Sequence, residues 1–237
     1  MTQSRDAMTR HTSSGQSHDG SRPPLAFLFD VDNTLLDNDA AKRRLASDLQ
    51  ALVGDTRARR FWELYEDLRG ELGIVDIPLT IERFVAAHDF PSLRSQVASV
   101  FFDCPFRDFV FEGASAAVNH ARTMGSVAIV SDGDQVFQRH KIRSSGLDDL
   151  VAGNVLVFPH KESEIPVITN AFPAERYVMI DDKKRILDAM KAATPPAVTT
   201  VFVRKGSYAD SVVPSPNELT IGDIGDLAGL SLADFQS

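Results

Sequence analysis

Apolar residues recur along this chain in distinct rhythms, and each rhythm predicts a different kind of structure. Residues 1–22 show none. They are polar, rich in Ser, Thr and Gly, and hold almost no large apolar side chains. Such a segment cannot bury enough surface to offset the entropy of ordering, so a disordered tail is expected, closed by Pro23-Pro24. An unbroken run of strand length follows, LAFLF from Leu25 to Phe29, and it stops at Asp30. From Asn38 to Asp108 the spacing turns helical. Ala41, Leu45, Leu49 and Leu52 form one stripe, and Phe61, Leu64, Tyr65, Leu68 and Leu72 another. TIERFVAAH and SLRSQVASVFF predict two more helices, with Thr80 and Ser92 as their N-caps. From Gly113 onward helical stretches alternate with short apolar runs: SVAIV, VLVF, RYVMI and AVTTVFV. The segment beyond Pro214 carries no clear period.

Helices alternating with continuous apolar strands predict a parallel sheet buried on both faces. The fold class is therefore α/β: a Rossmann-like parallel sheet with helices on both faces. The first strand must join the later strands to bury its own apolar faces. The stretch between them is then a helical insert after the first strand. The expected division is a core of residues 23–37 and 109–237, with a helical cap at 38–108.

Composition narrows the function classes. A hydrophobic content of 43% and a charged content of 24% are ordinary for a globular protein. The formal net charge of −8 disfavours nucleic acid and anionic membranes as partners, but not small anions held by a local site. Cys104 is the single cysteine, so no internal disulfide can form; it is expected to be a buried thiol in a reducing, cytoplasmic setting. No apolar run approaches the roughly 18 residues of a membrane span, and no signal-peptide core is expected at the N-terminus.

The candidate chemistry lies where apolar strands end in oxygen-bearing side chains. LAFLFD is followed by Val31 and then Asp32; SVAIV is followed by Ser131 and Asp132; RYVMI is followed by Asp181 and Asp182. In open parallel sheets ligands bind beyond the carboxyl ends of the strands, so these groups are expected to converge. Acids gathered in one crevice raise each other's pKa unless a cation intervenes, and oxygen ligands without His or Cys suit Mg²⁺. A calcium loop fits poorly, because Leu35 stands where such a loop needs glycine. Taken singly, Asp181-Asp182 could cap a helix and Ser131 could be a turn residue. Their common placement at three strand ends favours a shared site.

In these residues the chain resembles the haloacid dehalogenase-like superfamily of phosphohydrolases. The resemblance runs over about residues 25–205. It rests on the DxDxT of Asp30, Asp32 and Thr34 after a strand, on Ser131 ending a strand, and on paired acids at Asp181-Asp182. It implies an enzyme, a phosphoric monoester hydrolase that uses Mg²⁺ on a small phosphorylated metabolite. Asp30 would be the nucleophile, forming an aspartyl-phosphate. Asp32 would be the general acid and then the general base, oriented by Thr34. Ser131, Asp132 and Lys161 would hold the phosphate. Asp30, the backbone carbonyl of Asp32, and Asp182 would hold the metal, with Asp181 in support. The family's lysine has two candidates. Lys161 follows a strand as the family pattern requires, although Glu162 replaces the usual proline; Lys141 lies farther along a helix and reads as solvated. Asp181 also departs from the family's usual glycine. True haloacid dehalogenases of this fold lack the second aspartate, because a departing halide needs no proton. A phosphoryl-transferring mutase and a catalytically idle binding module remain as alternatives. Asp37 is expected to cap a helix, and Asp188 to lie on a helix surface.

Overall fold

The computed structural model describes residues 22–87, 93–192, 198–209, 212–214 and 218–235. The tail expected at residues 1–21 and the cap expected at Ser92 lie outside the described residues. Six parallel strands form one sheet in the order β3-β2-β1-β4-β5-β6. They are β1 (Leu25–Phe29), β2 (Ser126–Asp132), β3 (Val155–Phe158), β4 (Arg176–Asp181), β5 (Val198–Val203) and β6 (Leu219–Ile221). The sheet has helices on both faces, as the apolar runs require. Alternate residues of β1 enter two separate cores: Leu25, Phe27 and Phe29 pack into one, Ala26 and Leu28 into the other.

Because β2 lies on one side of β1 and β4 on the other, the strand order reverses beside β1. That switch point opens a crevice beyond the carboxyl ends of β1, β2 and β4. Four helices make up the insert after β1: α1 (Asn38–Val53), α2 (Asp55–Leu72), α3 (Ile77–Ala86) and α4 (Leu93–Phe102). Most of their predicted apolar stripes face inward, with Leu45, Leu49, Phe61, Leu68, Phe84, Val97 and Phe101 buried, but Leu52 and Leu72, in the last turns of α1 and α2, are exposed. Phe61 stacks on Phe101 at 5.0 Å and meets Phe84 edge-on at 5.4 Å. It is core, as its helical spacing indicates. The N-cap of α3 is Asp76, not Thr80: Asp76 accepts from Leu79 N at 2.8 Å, while Thr80 is one turn in and returns its hydroxyl to the Asp76 carbonyl. Thr80 has the right chemistry for a cap, but Pro78 fits the first turn and moves the start upstream.

The two chain crossings of this insert are stitched together. Asp37 N donates to Phe109 O at 2.8 Å, and Phe111 N donates to Leu35 O at 3.0 Å. Asp37 caps α1 by accepting from Ala40 N at 2.8 Å. After β2 come α6 (Gln135–Ser145) and, beyond β3, a 3-10 turn (Lys161–Ser163), while α9 (Lys184–Ala192) follows β4. The short α5 (Ala114–Arg122), α7 (Leu147–Leu150), α8 (Ile165–Ala171) and α10 (Gly206–Ala209) complete the helices among the described residues.

Candidate active site

Each site residue stands where a hydrophobic strand runs out. Inside β1 every side chain is buried in apolar surroundings; one residue past its end, Asp30 remains buried at 1% exposure but has the crevice in front of it. Its backbone N–H still pairs with Ile180 O at 2.9 Å, which fixes the carboxylate against β4. Asp181 ends β4 and Asp182 follows it, both buried. One carboxylate oxygen from each of Asp30, Asp181 and Asp182 lies within 4.8 Å of the others.

Lys161 is wholly buried among them. Its Nζ donates to Asp30 Oδ1 at 2.5 Å and to Val130 O at 3.1 Å, and lies 2.7 Å from Asp181 Oδ2. Burial disfavours the ammonium, but Asp181 and Asp30 outweigh that and hold its pKa above the ordinary lysine value. Lys161 is placed by its own backbone, whose N–H donates to Asp132 Oδ1 at 3.0 Å. Asp181 is further engaged by Lys183 N at 2.7 Å. Asp182 contrasts with these: both its oxygens, like Asp30 Oδ2, are buried and accept no hydrogen bond among the described residues. Burial, then Asp181 and Asp30, push Asp182 up to about 9. Burial also raises Asp30 to about 7, against the pull of Lys161.

Unpaired buried carboxylate oxygens are costly, and each calls for a partner. Counting Asp30, Asp132, Asp181 and Asp182 against Lys161 and Lys183 leaves two negative charges, which one divalent cation would balance. The donors are all oxygens, which fits a hard ion. The group that fits is therefore a divalent cation held by Asp182 and Asp30, with Asp181 beside them.

Asp32 is turned away from this cluster. Its two oxygens accept from Lys141 Nζ at 2.8 and 2.9 Å, and Lys141 also reaches Asn38 Oδ1 at 3.2 Å. Burial works against the Asp32 carboxylate, but the charge and hydrogen bonds of Lys141 prevail and hold its pKa below the ordinary range. Lys141 is thus buried at 4% exposure, not solvated as its place on a helix indicated. It faces the turn after β1, which sequence spacing could not show. The Thr34 hydroxyl, expected to orient Asp32, is buried and makes no hydrogen bond to it or to any other group among the described residues. Asn33 shapes the turn instead. It adopts φ 58°, a conformation asparagine tolerates, and its Oδ1 accepts from Asn38 N and Asp39 N at 3.1 and 3.2 Å.

Ser131 is buried, its Oγ 2.9 Å from Gln138 Nε2, and keeps its own proton to donate. The Asp132 side chain positions lysines: it accepts from Lys161 N, and its other oxygen is 3.9 Å from Lys183 Nζ. Lys183 was not singled out by sequence, where it reads as an ordinary helix start. Burial opposes its charge, but Asp30, Asp181 and Asp132 prevail and raise its pKa above the ordinary lysine value. Asp188 is exposed and pairs with Lys184 at 2.7 Å, away from the cluster.

A cavity of about 320 Å³ opens from these groups toward the insert. Asp32, Lys141, Asp182 and Lys183 line it from the core, and Lys42, Trp62, Tyr65 and Arg69 of α1 and α2 line it from the insert. The site thus joins a buried carboxylate cluster holding a lysine, a second carboxylate paired with another lysine, and a partly open pocket. That set suits transfer of an anionic group to an oxygen nucleophile.

A family model for haloacid dehalogenase-like hydrolases matches residues 24–194. A haloacid dehalogenase-like hydrolase from Burkholderia xenovorans is 40% identical, with a TM-score of 0.81 over 87% of this chain and 98% of that one. The L-2-haloacid dehalogenase from Xanthobacter autotrophicus is 15% identical, with a TM-score of 0.57 over 86% of this chain and 96% of that one. CbbY from Rhodobacter sphaeroides, solved with phosphate, is 16% identical, with a TM-score of 0.56 over 90% of this chain and 99% of that one. The latter two show a shared fold only. No curated protein matches the sequence. With most of its length matched, this chain belongs to the haloacid dehalogenase-like hydrolases.

Proposed function

We propose that the protein is a Mg²⁺-dependent phosphohydrolase acting on a small phosphorylated metabolite through an aspartyl-phosphate on Asp30. The observation that carries this reading is the pair of unpartnered Asp182 oxygens beside the buried Asp30 carboxylate, with Asp32 two residues on. When bound, the cation would screen the repulsion between an anionic nucleophile and an anionic substrate.

The protein's own residues divide the rest of the work. Lys161 anchors the Asp30 carboxylate, which attacks phosphorus. The phosphorus–leaving-group bond breaks as the Asp30–phosphorus bond forms, and the Asp32 carboxyl delivers the proton to the departing alkoxide. Because Lys141 keeps Asp32 ionised in the free protein, Asp32 takes up that proton when the substrate anion draws the lysine's charge. In the second half Asp32 accepts a proton from water as the water oxygen bonds to phosphorus, and the Asp30–phosphorus bond breaks to regenerate the carboxylate and release phosphate. Ser131 and Lys183 hydrogen-bond the phosphoryl oxygens. The helical insert acts as a cap that keeps bulk water from the acyl phosphate. A soluble, reducing compartment such as the cytoplasm suits the single buried Cys104.

Purified protein should hydrolyse p-nitrophenyl phosphate with Mg²⁺. The activity should vanish with excess EDTA and in Asp30→Asn. Halide release from a 2-haloacid without metal, in place of phosphate release, would overturn the reading in favour of a dehalogenase. Hydrolysis insensitive to both EDTA and Asp30→Asn would overturn the mechanism.

A further inference from the structure

The two helices that roof the cavity present it with regular stripes. On α1 the stripe is Asn38, Lys42 and Leu45; on α2 it is Trp62, Tyr65 and Arg69. Every charged side chain that this insert gives to the cavity wall is a cation, although the chain as a whole carries −8. Lys42 lies 5.0 Å over the Tyr65 ring and has no carboxylate partner among the described residues. Other cations of the same two helices are spent elsewhere: Arg44 pairs with Asp48, and Arg60 with Glu63. Arg69 has only an exposed contact with Glu66 at 3.3 Å, the kind of pair that a ligand displaces at little cost. The Trp62 indole N–H is buried without an acceptor among the described residues.

The distance from the reacting groups follows from the helix. Asn38 touches Lys141, which holds Asp32. Lys42 is one turn farther along α1, a rise of about 6 Å. The acids of the wall, Asp32 and Asp182 among them, all come from the core side. The insert, in contrast, contributes cations and aromatic rings.

We propose that Lys42 and Arg69 form a subsite for a second anionic group on the substrate, so that the preferred substrates are phosphomonoesters whose leaving group itself carries a carboxylate or a second phosphate. The assignment rests on the phosphohydrolase reading above. Cation–anion contacts on a partly dry wall select strongly, because an uncharged leaving group leaves both cations unanswered.

Two matched pairs test it with the Mg²⁺-loaded enzyme. 3-Phosphoglycerate and glycerol 3-phosphate differ by a carboxylate in place of a hydroxymethyl group. Fructose 1,6-bisphosphate and fructose 6-phosphate differ by a second phosphate. The anionic member of at least one pair should be favoured in kcat/KM by about tenfold or more, through KM. The first pair reports a carboxylate, the second a phosphate. Lys42→Met and Arg69→Gln should each collapse that ratio toward one. Equal values within both pairs, or variants that lower both members alike and keep the ratio, would overturn the subsite. Binding is read apart from turnover in Asp30→Asn, because Trp62 is the only tryptophan and its emission reports the cavity. Tighter binding of the anionic member there, with no turnover of any ester by the unmutated protein, would sink the phosphohydrolase reading and keep the subsite. Equal affinities there would sink the subsite whatever the turnover.

Discussion

Lys161 is the residue on which the site's charge balance turns. It is wholly buried between Asp30 and Asp181, and its ammonium is the cation in direct contact with both carboxylates on the floor of the crevice. Removing one partner of a buried ion pair costs far more than the pair contributes, because the survivor is left charged in a dry place. Lys161→Met should therefore lower unfolding stability by about 3–5 kcal/mol in urea titrations at neutral pH. A loss under about 1 kcal/mol would mean that water reaches the carboxylates freely. Asp182→Asn should act in the opposite sense. It removes a carboxylate whose oxygens have no partner, so the metal-free variant should melt no lower than the unmutated protein near pH 8. It should also lose the stabilisation that Mg²⁺ gives, and activity should fall on the order of a hundredfold or more. A thermal shift with Mg²⁺ that survives Asp182→Asn would remove Asp182 from the metal site. The acids were legible in the sequence because each ends an apolar strand, and strand ends converge in a parallel sheet whatever the loops do. The cations were less so. Lys141 and Lys183 owe their roles to which face of a helix meets the turn after β1, and helical period alone does not say what stands opposite.

At the scale of elements, the insert is tied to the sheet by a short seam. Asp37 closes it twice, once through its backbone to Phe109 and once by capping α1. Asp37→Ala should cost about 1 kcal/mol through the lost cap. Denaturant unfolding of the variant measures that loss, and an unchanged midpoint would show that α1 is held by packing alone. Since α1 also carries Asn38 and Lys42 to the cavity, fraying of its first turn should raise KM more than it lowers kcat. The main strands and helices were readable because both faces of the sheet are buried, which makes continuous apolar runs, and because the insert's helices bury regular stripes. β6 was not readable. Its three residues are too few to show a period, and they form a strand only because β5 offers an edge to pair with. The start of α3 was misplaced for a related reason. Asp76 and Thr80 both have capping chemistry, and the choice between them is made by the proline and by packing downstream.

The whole molecule should feel the acid cluster through pH. The folded protein holds Asp30 near 7 and Asp182 near 9, both above their ordinary value of 3.8. From about pH 4 to about pH 9 the native state therefore binds more protons than the unfolded chain, and stability must fall as pH rises through that window. Lys161 and Lys183 do not offset this, since both are protonated in either state there. Asp32 works on the other side: its lowered pKa gives stability that is present above its unfolded value and lost as acid protonates it. Metal-free protein should thus be most stable in mildly acidic solution and melt at a lower temperature at about pH 8.5 than at about pH 5.5. A divalent cation binds the ionised carboxylates and competes with the protons, so its stabilisation must grow with pH. Melting curves with EDTA and with saturating Mg²⁺ at both pH values check both statements. The Mg²⁺-induced rise in Tm should be small at the lower pH and several degrees larger at the higher, an expectation set by about 1.4 kcal/mol per pKa unit of competition. Equal rises at both would mean that the cation does not bind at Asp30 and Asp182. A metal-free protein whose stability climbs steadily to pH 8.5 would mean that water or a cation other than Mg²⁺ already pairs the Asp182 oxygens in solution.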